Sequence, residues 1–208
     1  MRKRPPFYLL VIYLAVFVMA LYTGYQLWHV NHLSNRMMSA DMGNAVGSAE
    51  SERVIVEFLD YRCPACRAMH PIMTELRERN PDIRIIYRLF PVFEEESHPH
   101  MKIALAAGRQ GMFEEAHNRL IAREDPKTEE DVAALIRDLG LDEAQFTRDR
   151  NSRALMRHLD LNFKIAMQFG IFQTPTLIIG DKITTPSMYE DGLTVERIEQ
   201  LLQSAYGR

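Results

Sequence analysis

The stretch Val54-Ile-Val-Glu57-Phe-Leu-Asp60-Tyr-Arg-Cys63-Pro64-Ala65-Cys66 joins a β-branched apolar run to a Cys-x-x-Cys pair. The run predicts a buried strand, and the residues after Cys66 have the spacing of an amphipathic helix. Pro64 suits the first helical position, where the missing N–H costs nothing. Free backbone N–H groups and the positive end of the helix dipole would therefore favour a thiolate at Cys63.

The two cysteines are the only ones in the 208 residues, and their spacing indicates redox chemistry. The thiolate is the form that attacks disulfides, and Cys66, one helical turn further on, is placed to resolve a mixed disulfide at Cys63. A zinc site with His70 is one alternative, but structural zinc usually has four ligands and there is no second cysteine pair. An inert structural disulfide is the other, but so short a loop restrains the unfolded chain little. The sequence shows no metal, nucleotide or flavin site.

Two further motifs follow in a fixed order. Arg88-Leu-Phe-Pro91 precedes a helical segment that includes Ala104 to His117, and Gly170-Ile-Phe-Gln-Thr174-Pro175-Thr176 comes far downstream. Together with the Cys-x-x-Cys element they resemble the thioredoxin superfamily over roughly residues 53–206. The long helical segment resembles the insertion of DsbA-like proteins.

This resemblance implies an α/β thioredoxin-like fold with a helical insertion at about 97–168. It implies that Pro175 is a cis-proline facing the active site and that Thr174 and Pro175 position a substrate strand. It also implies that Glu57 is the buried acid behind the cysteines, which exchanges a proton with Cys66. An outward-facing acid on an edge strand is the alternative reading of Glu57.

The N-terminal segment predicts one transmembrane helix that precedes the fold. Residues 7–28 are apolar and uncharged, long enough to cross a hydrocarbon core of about 30 Å, and they follow the basic Met1-Arg-Lys-Arg4. The basic residues predict a cytoplasmic N-terminus and a domain on the far side of the membrane. A cleaved signal peptide ending near Val18-Met-Ala20 is the alternative. Residues 29–52 predict a flexible linker or a short helical stalk.

Hydrophobic periodicity and turn residues predict the remaining elements of residues 53–208. The first strand, the helix after Cys66 and the next strand should form a right-handed parallel unit. Thr128 to Asp131 resembles a capping box. The predicted strands are 54–59, 83–90, 176–179 and 182–185, and the predicted helices run to about 79 and cover 99–108, 111–122, 128–139, 142–149, 152–168 and 194–206.

We therefore expect a membrane-anchored thiol–disulfide oxidoreductase with its domain in the periplasm or outside the cell. Its substrates would be unfolded or partly folded exported proteins with cysteines, and the family implies a membrane redox partner that resets the pair. An oxidase is the main expectation, although Ala65 offers no side-chain donor to Cys63, so an isomerase or reductase remains open. A redox-quiet peptide-binding module is a further alternative. The net charge of −3 argues against a nucleic-acid partner.

Overall fold

The computed structural model describes residues 6–122, 126 and 128–207, which divide into two compact units at Met37 and Met38. The first unit contains helix α1, Phe7–Met37. Its length and composition allow it to cross a membrane, and a signal sequence near an N-terminus has the same properties. The helix extends nine residues beyond the predicted end of the membrane span at residue 28.

The second unit is a mixed α/β domain, which confirms the predicted fold class. Its elements in chain order are β1 Ala45–Val46, β2 Arg53–Leu59, α2 Pro64–Arg79, β3 Ile83–Leu89, α3 His98–Gly108, α4 Phe113–Ile121, α5 Glu129–Asp138, α6 Glu143–Arg150, α7 Arg153–Gln168, β4 Thr176–Ile179, β5 Lys182–Thr184 and α8 Val195–Tyr206. Most boundaries lie within two residues of the predicted ones. The capping box at Thr128 and Asp131 is present, with both reciprocal hydrogen bonds.

Within the described residues the strands form one sheet in the order β1-β3-β2-β4-β5. Strands β2 and β3 are parallel, as predicted, and the other neighbouring pairs are antiparallel. Strand β2 is therefore central, and its residues from Ile55 to Leu59 are all buried. Because only four residues separate the end of β2 from the start of α2, the Cys-x-x-Cys pair lies at the carboxyl end of the central strand.

The structure differs from the predicted flexible linker at residues 42–51. Strand β1 pairs with β3, and the Asn44 side chain donates a 2.8 Å hydrogen bond to the Tyr87 carbonyl. Gly43 and Gly47 have positive φ angles, and a Cβ at either position would lie within 2.3 Å of a carbonyl oxygen of a neighbouring segment. These glycines permit a close backbone approach rather than flexibility. The other predicted domain boundaries remain predictions.

Candidate active site

Cys63 caps the N-terminus of α2. It has extended backbone angles, φ −72° and ψ 119°, and Pro64 occupies the first turn of the helix. Proline is accepted there because the first helical N–H groups have no partner within the helix. Both cysteines are free thiols, and Cys63 is 8% exposed whereas Cys66 is 1% exposed. Cys63 is therefore the sulfur that a second molecule can reach.

The surroundings of Cys63 favour its thiolate. A hydrogen bond from the Cys66 thiol is the largest influence that lowers the pKa of Cys63 to about 5, and the backbone N–H groups of Cys66 and Ala65 act in the same direction. Partial burial opposes them. The Thr174 hydroxyl also lowers this pKa, although it makes no hydrogen bond of normal geometry. Ala65 thus supplies a backbone donor where the sequence offered no side-chain donor.

Cys66 has the opposite tendency. Burial is the largest cause that raises the pKa of its thiol, and the hydrogen bond to Cys63 adds to it. The Asp60 backbone N–H points at the Cys66 sulfur, with the nitrogen 3.5 Å away. Each thiol therefore favours a different protonation state, with the proton on Cys66 and the charge on Cys63.

The Thr174–Pro175 peptide bond is cis. The Cys63 thiol donates to the Thr174 carbonyl oxygen at 3.4 Å, which joins residues 111 positions apart. The Thr176 hydroxyl donates a 2.7 Å hydrogen bond to the Gln173 carbonyl and braces this turn. Thr174 and Pro175 therefore lie against Cys63, where the resemblance placed them.

Glu57 lies in the middle of the central strand and is 4% exposed. Burial raises its pKa to about 8, because the charged form loses its hydration. Its carboxyl group also contributes to the raised pKa of Cys66, since two neighbouring negative charges repel each other. The structure thus contradicts the alternative of an outward-facing acid on an edge strand.

Asp60 is a buried acid that directly follows β2. It accepts hydrogen bonds from the backbone of Arg62, from Val92 at 2.8 Å and Phe93 at 3.3 Å, and from the Ser97 hydroxyl at 2.6 Å. Asp60 therefore holds the segment after β3 beside the Cys-x-x-Cys turn. Its contacts with Val92, Phe93 and Ser97 join residues more than 30 positions apart, so no local sequence signal could have revealed them.

His70 of α2 and His117 of α4 belong to one cluster of ring side chains, together with Tyr61, Tyr87 and Phe113. The Tyr61 hydroxyl is 3.2 Å from Nδ1 of His117, and the ring centroids of His117 and His70 are 5.3 Å apart. No group of three or more His, Cys, Asp or Glu side chains suited to a metal ion is found in the part of the chain that the structure describes.

This chain is similar in sequence and structure to several known proteins. A family model described as Thioredoxin matches residues 39–203. The thiol:disulfide interchange protein DsbA of Pseudomonas aeruginosa is 28% identical over 134 residues, which cover 62% of this chain and 63% of DsbA. A crystal structure of a thioredoxin-like oxidoreductase from Silicibacter pomeroyi DSS-3 superimposes with a TM-score of 0.67 at 26% identity, covering 81% of this chain and 98% of that one.

The chain also matches part of several sodium/proton antiporters. NhaA 1 of Salinispora arenicola is 31% identical over 170 residues, which cover 80% of this chain and 25% of the antiporter. The chain spans between 21% and 25% of the length of the first curated relatives it matches. The matched segment is thus a minor part of each antiporter.

Proposed function

The chain belongs to the thioredoxin family, and on that premise we propose that it is a thiol–disulfide oxidoreductase that donates its Cys63–Cys66 disulfide to cysteines of other proteins. One observation carries this proposal: a thiol of lowered pKa at a helix N-terminus faces the cis-proline turn, while its partner thiol of raised pKa is buried behind it. The lowered pKa lets Cys63 attack and leave as a thiolate. The raised pKa keeps a proton on Cys66.

In the oxidising direction a substrate thiolate attacks Sγ of Cys63. A disulfide forms between the substrate and Cys63, the Cys63–Cys66 bond breaks, and its electron pair leaves on Cys66. Glu57, a neutral acid below pH 8, transfers its proton to Cys66. A second substrate thiolate then attacks the substrate sulfur of the mixed disulfide, so the substrate gains its disulfide and Cys63 leaves as a thiolate. Two electrons have passed from the substrate to the pair.

The cis-proline turn would hold the substrate during these steps. The Thr174 carbonyl is 3.4 Å from the Cys63 sulfur, and Pro175 leads directly into β4. A substrate segment in extended conformation can pair with exposed backbone groups at such a turn. Thr174 and Pro175 are therefore proposed as substrate-binding residues, and Pro64 and Ala65 as the helix start that presents the thiolate.

The direction of electron flow follows from the stability of the reduced pair. A stabilised Cys63 thiolate stabilises the reduced form and makes the disulfide a better oxidant. The pKa of about 5 for Cys63 lies between the values of about 3.5 for the oxidant DsbA and about 7 for thioredoxin. This supports an oxidase. An isomerase or reductase is the second candidate, because Ala65 contributes only its backbone N–H.

The proposed substrates are unfolded or partly folded exported proteins with cysteines. A membrane redox partner would accept electrons from the reduced pair and restore the disulfide. Helix α1 supports an anchor in the inner membrane with the catalytic domain on the periplasmic side, where disulfides persist. We do not propose sodium/proton transport for this chain, since the segment it shares with the antiporters is a minor part of those proteins.

The test compares Cys63→Ser with Cys66→Ser in the full-length chain, by oxidative refolding of a reduced disulfide-containing protein. Cys63→Ser should abolish exchange. Cys66→Ser should accumulate a mixed disulfide through Cys63, detected as a covalent adduct that dithiothreitol releases. Retention of exchange by Cys63→Ser would refute the assignment. If wild type and Cys63→Ser bind the same peptides and neither exchanges thiols, the chain is a binding module.

A further inference from the structure

The turn that carries the cis-proline is tied to a second turn by one glutamine side chain. Nε2 of Gln173 donates hydrogen bonds to Oγ1 of Thr185 and to Oγ of Ser187, each at 3.0 Å. The two hydroxyl oxygens are 2.8 Å apart, so the three side chains form a closed triangle. Thr185 is 5% exposed, and the short helical turn Pro186–Met188 follows it. The triangle therefore joins the segment before β4 to the segment after β5.

The backbone ladder between β4 and β5 ends before it reaches these two segments. Its last pair on the side of the cis-proline is Leu177 with Thr184. Continuing the same register would place Pro175 opposite Pro186, and proline has no N–H to donate. The Gln173 side chain, which lies beyond this pair of prolines, thus supplies hydrogen bonds where the backbone cannot.

Gln173 is also held through its backbone. Its carbonyl oxygen accepts the 2.7 Å hydrogen bond from the Thr176 hydroxyl, on the other side of the cis bond. The next residue is Thr174, whose carbonyl oxygen is 3.4 Å from Sγ of Cys63. Because both the side chain and the carbonyl of Gln173 are bonded, the Thr174 peptide has little freedom to turn relative to Cys63. A substrate strand that pairs with this backbone would meet groups already in place, which reduces the ordering cost of binding.

We propose that Gln173 is a positioning residue that holds the Thr174 backbone beside Cys63 in the orientation with which an extended peptide pairs. The inference rests on the proposed exchange reaction. The Gln173 amide carries no charge, and Thr174 stands between it and the thiol. Gln173 therefore acts on the binding of the substrate backbone rather than on the chemistry of the sulfurs. A small dithiol, which has no peptide backbone, gains nothing from this arrangement.

The test measures how fast two reduced dithiols open the oxidised Cys63–Cys66 pair in the full-length chain, by acid quenching and thiol alkylation. One is dithiothreitol, and the other is a short unstructured peptide with two cysteines. Gln173→Met keeps the length of the side chain and removes its donors. We expect its second-order rate with the peptide to fall about tenfold, the effect of about one net hydrogen bond. The fall should come from a higher half-saturating peptide concentration, and the rate with dithiothreitol should stay near that of the wild type.

Gln110→Met is the matched control. Gln110 also joins two segments through its amide, because Nε2 donates to the Asp142 carbonyl at 3.1 Å and Oε1 accepts from the Asp142 N–H at 2.8 Å. These bonds connect the segment after α3 with the start of α6. Gln110→Met should therefore lose a comparable pair of hydrogen bonds and keep the wild-type rate with both dithiols.

Ser187→Ala removes one of the two acceptors, and Ser187 is exposed, so this variant carries the test if Gln173→Met does not fold. It should slow the peptide less than Gln173→Met does. The double variant should be no slower than Gln173→Met, because both changes break the same tie. Equal loss of rate with both dithiols, no loss with the peptide, or independent effects of the two substitutions would overturn the positioning role. If neither dithiol opens the wild-type pair, the proposed function fails instead.

Discussion

Cys63 and Cys66 are three positions apart, yet their environments favour opposite charge states. Donors from Cys66 and the helix N-terminus lower the pKa of Cys63, whereas burial raises that of Cys66. In the reduced protein, iodoacetamide should therefore alkylate Cys63 with a pH midpoint near 5, and Cys66 should remain unmodified until the chain is unfolded. Mass mapping of the labelled peptides over pH 3–9 measures both. A midpoint for Cys63 near 8.5, the value of a free cysteine, would contradict the account.

Glu57 makes the stability of the protein depend on pH. Between the ordinary value of 4.5 and the folded pKa of about 8, the folded state keeps a proton that the unfolded state releases. Unfolding then becomes easier as pH rises through this window, by up to about 4 kcal/mol at pH 8. Glu57→Gln should remove this penalty, so its gain in unfolding free energy should be small at pH 4 and about 3 kcal/mol or more at pH 8.

Urea unfolding of Glu57→Gln at the two pH values measures this difference. Glu78→Gln is the matched control, because Glu78 is exposed on α2 and should change the unfolding free energy little at either pH. An equal gain for Glu57→Gln at both pH values would show that Glu57 titrates normally in the folded protein.

The residues whose chemistry is local are predictable from the sequence. Glu57 lies inside an apolar run, and Pro64 indicates that a helix starts at Cys63. The pairing of Tyr61 with His117 links residues 56 positions apart, so it depends on how α4 packs behind α2 and has no local signature. The sequence also predicts that free backbone N–H groups at this helix start favour the Cys63 thiolate, and those of Ala65 and Cys66 do lower its pKa.

Asp60 holds the segment that follows β3 in place through its hydrogen bonds. Removing its carboxylate leaves the N–H groups of Val92 and Phe93 and the buried Ser97 hydroxyl without their acceptor. Asp60→Ala should therefore lower the unfolding free energy by about 3 kcal/mol or more, whereas Ser97→Ala, which removes one of these hydrogen bonds, should cost about 1 kcal/mol. Urea denaturation compares the two. Equal costs would mean that the backbone donors find other partners.

The helices and strands themselves were predictable because periodicity, caps and turn residues are local properties. Helices α3 to α8 and strands β2 to β5 were all expected close to their observed positions. The segment at residues 42–51 was not, because its glycines indicate a linker when read locally. Only the approach of Gly43 to Gly108 and of Gly47 to Ile83 explains why they are glycines.

Retention or cleavage of α1 decides whether the protein is anchored in a membrane or secreted. The full-length chain expressed in bacteria should remain with the membrane fraction after a carbonate wash, and a chain beginning at Met38, where the second compact unit starts, should be released as a soluble protein. The mass of the membrane-bound protein should equal that of the full sequence. A soluble product whose mass indicates cleavage near Ala20 would instead establish a signal peptide.

The reduction potential of the Cys63–Cys66 pair shows whether the protein donates its disulfide, as we propose. The full-length chain in detergent is equilibrated with glutathione buffers of known ratio, and the reduced fraction is measured by thiol alkylation. A stabilised Cys63 thiolate predicts a potential near or above roughly −180 mV, at which the disulfide is readily donated. A potential near or below roughly −250 mV would make the reduced pair the electron donor and contradict the oxidase.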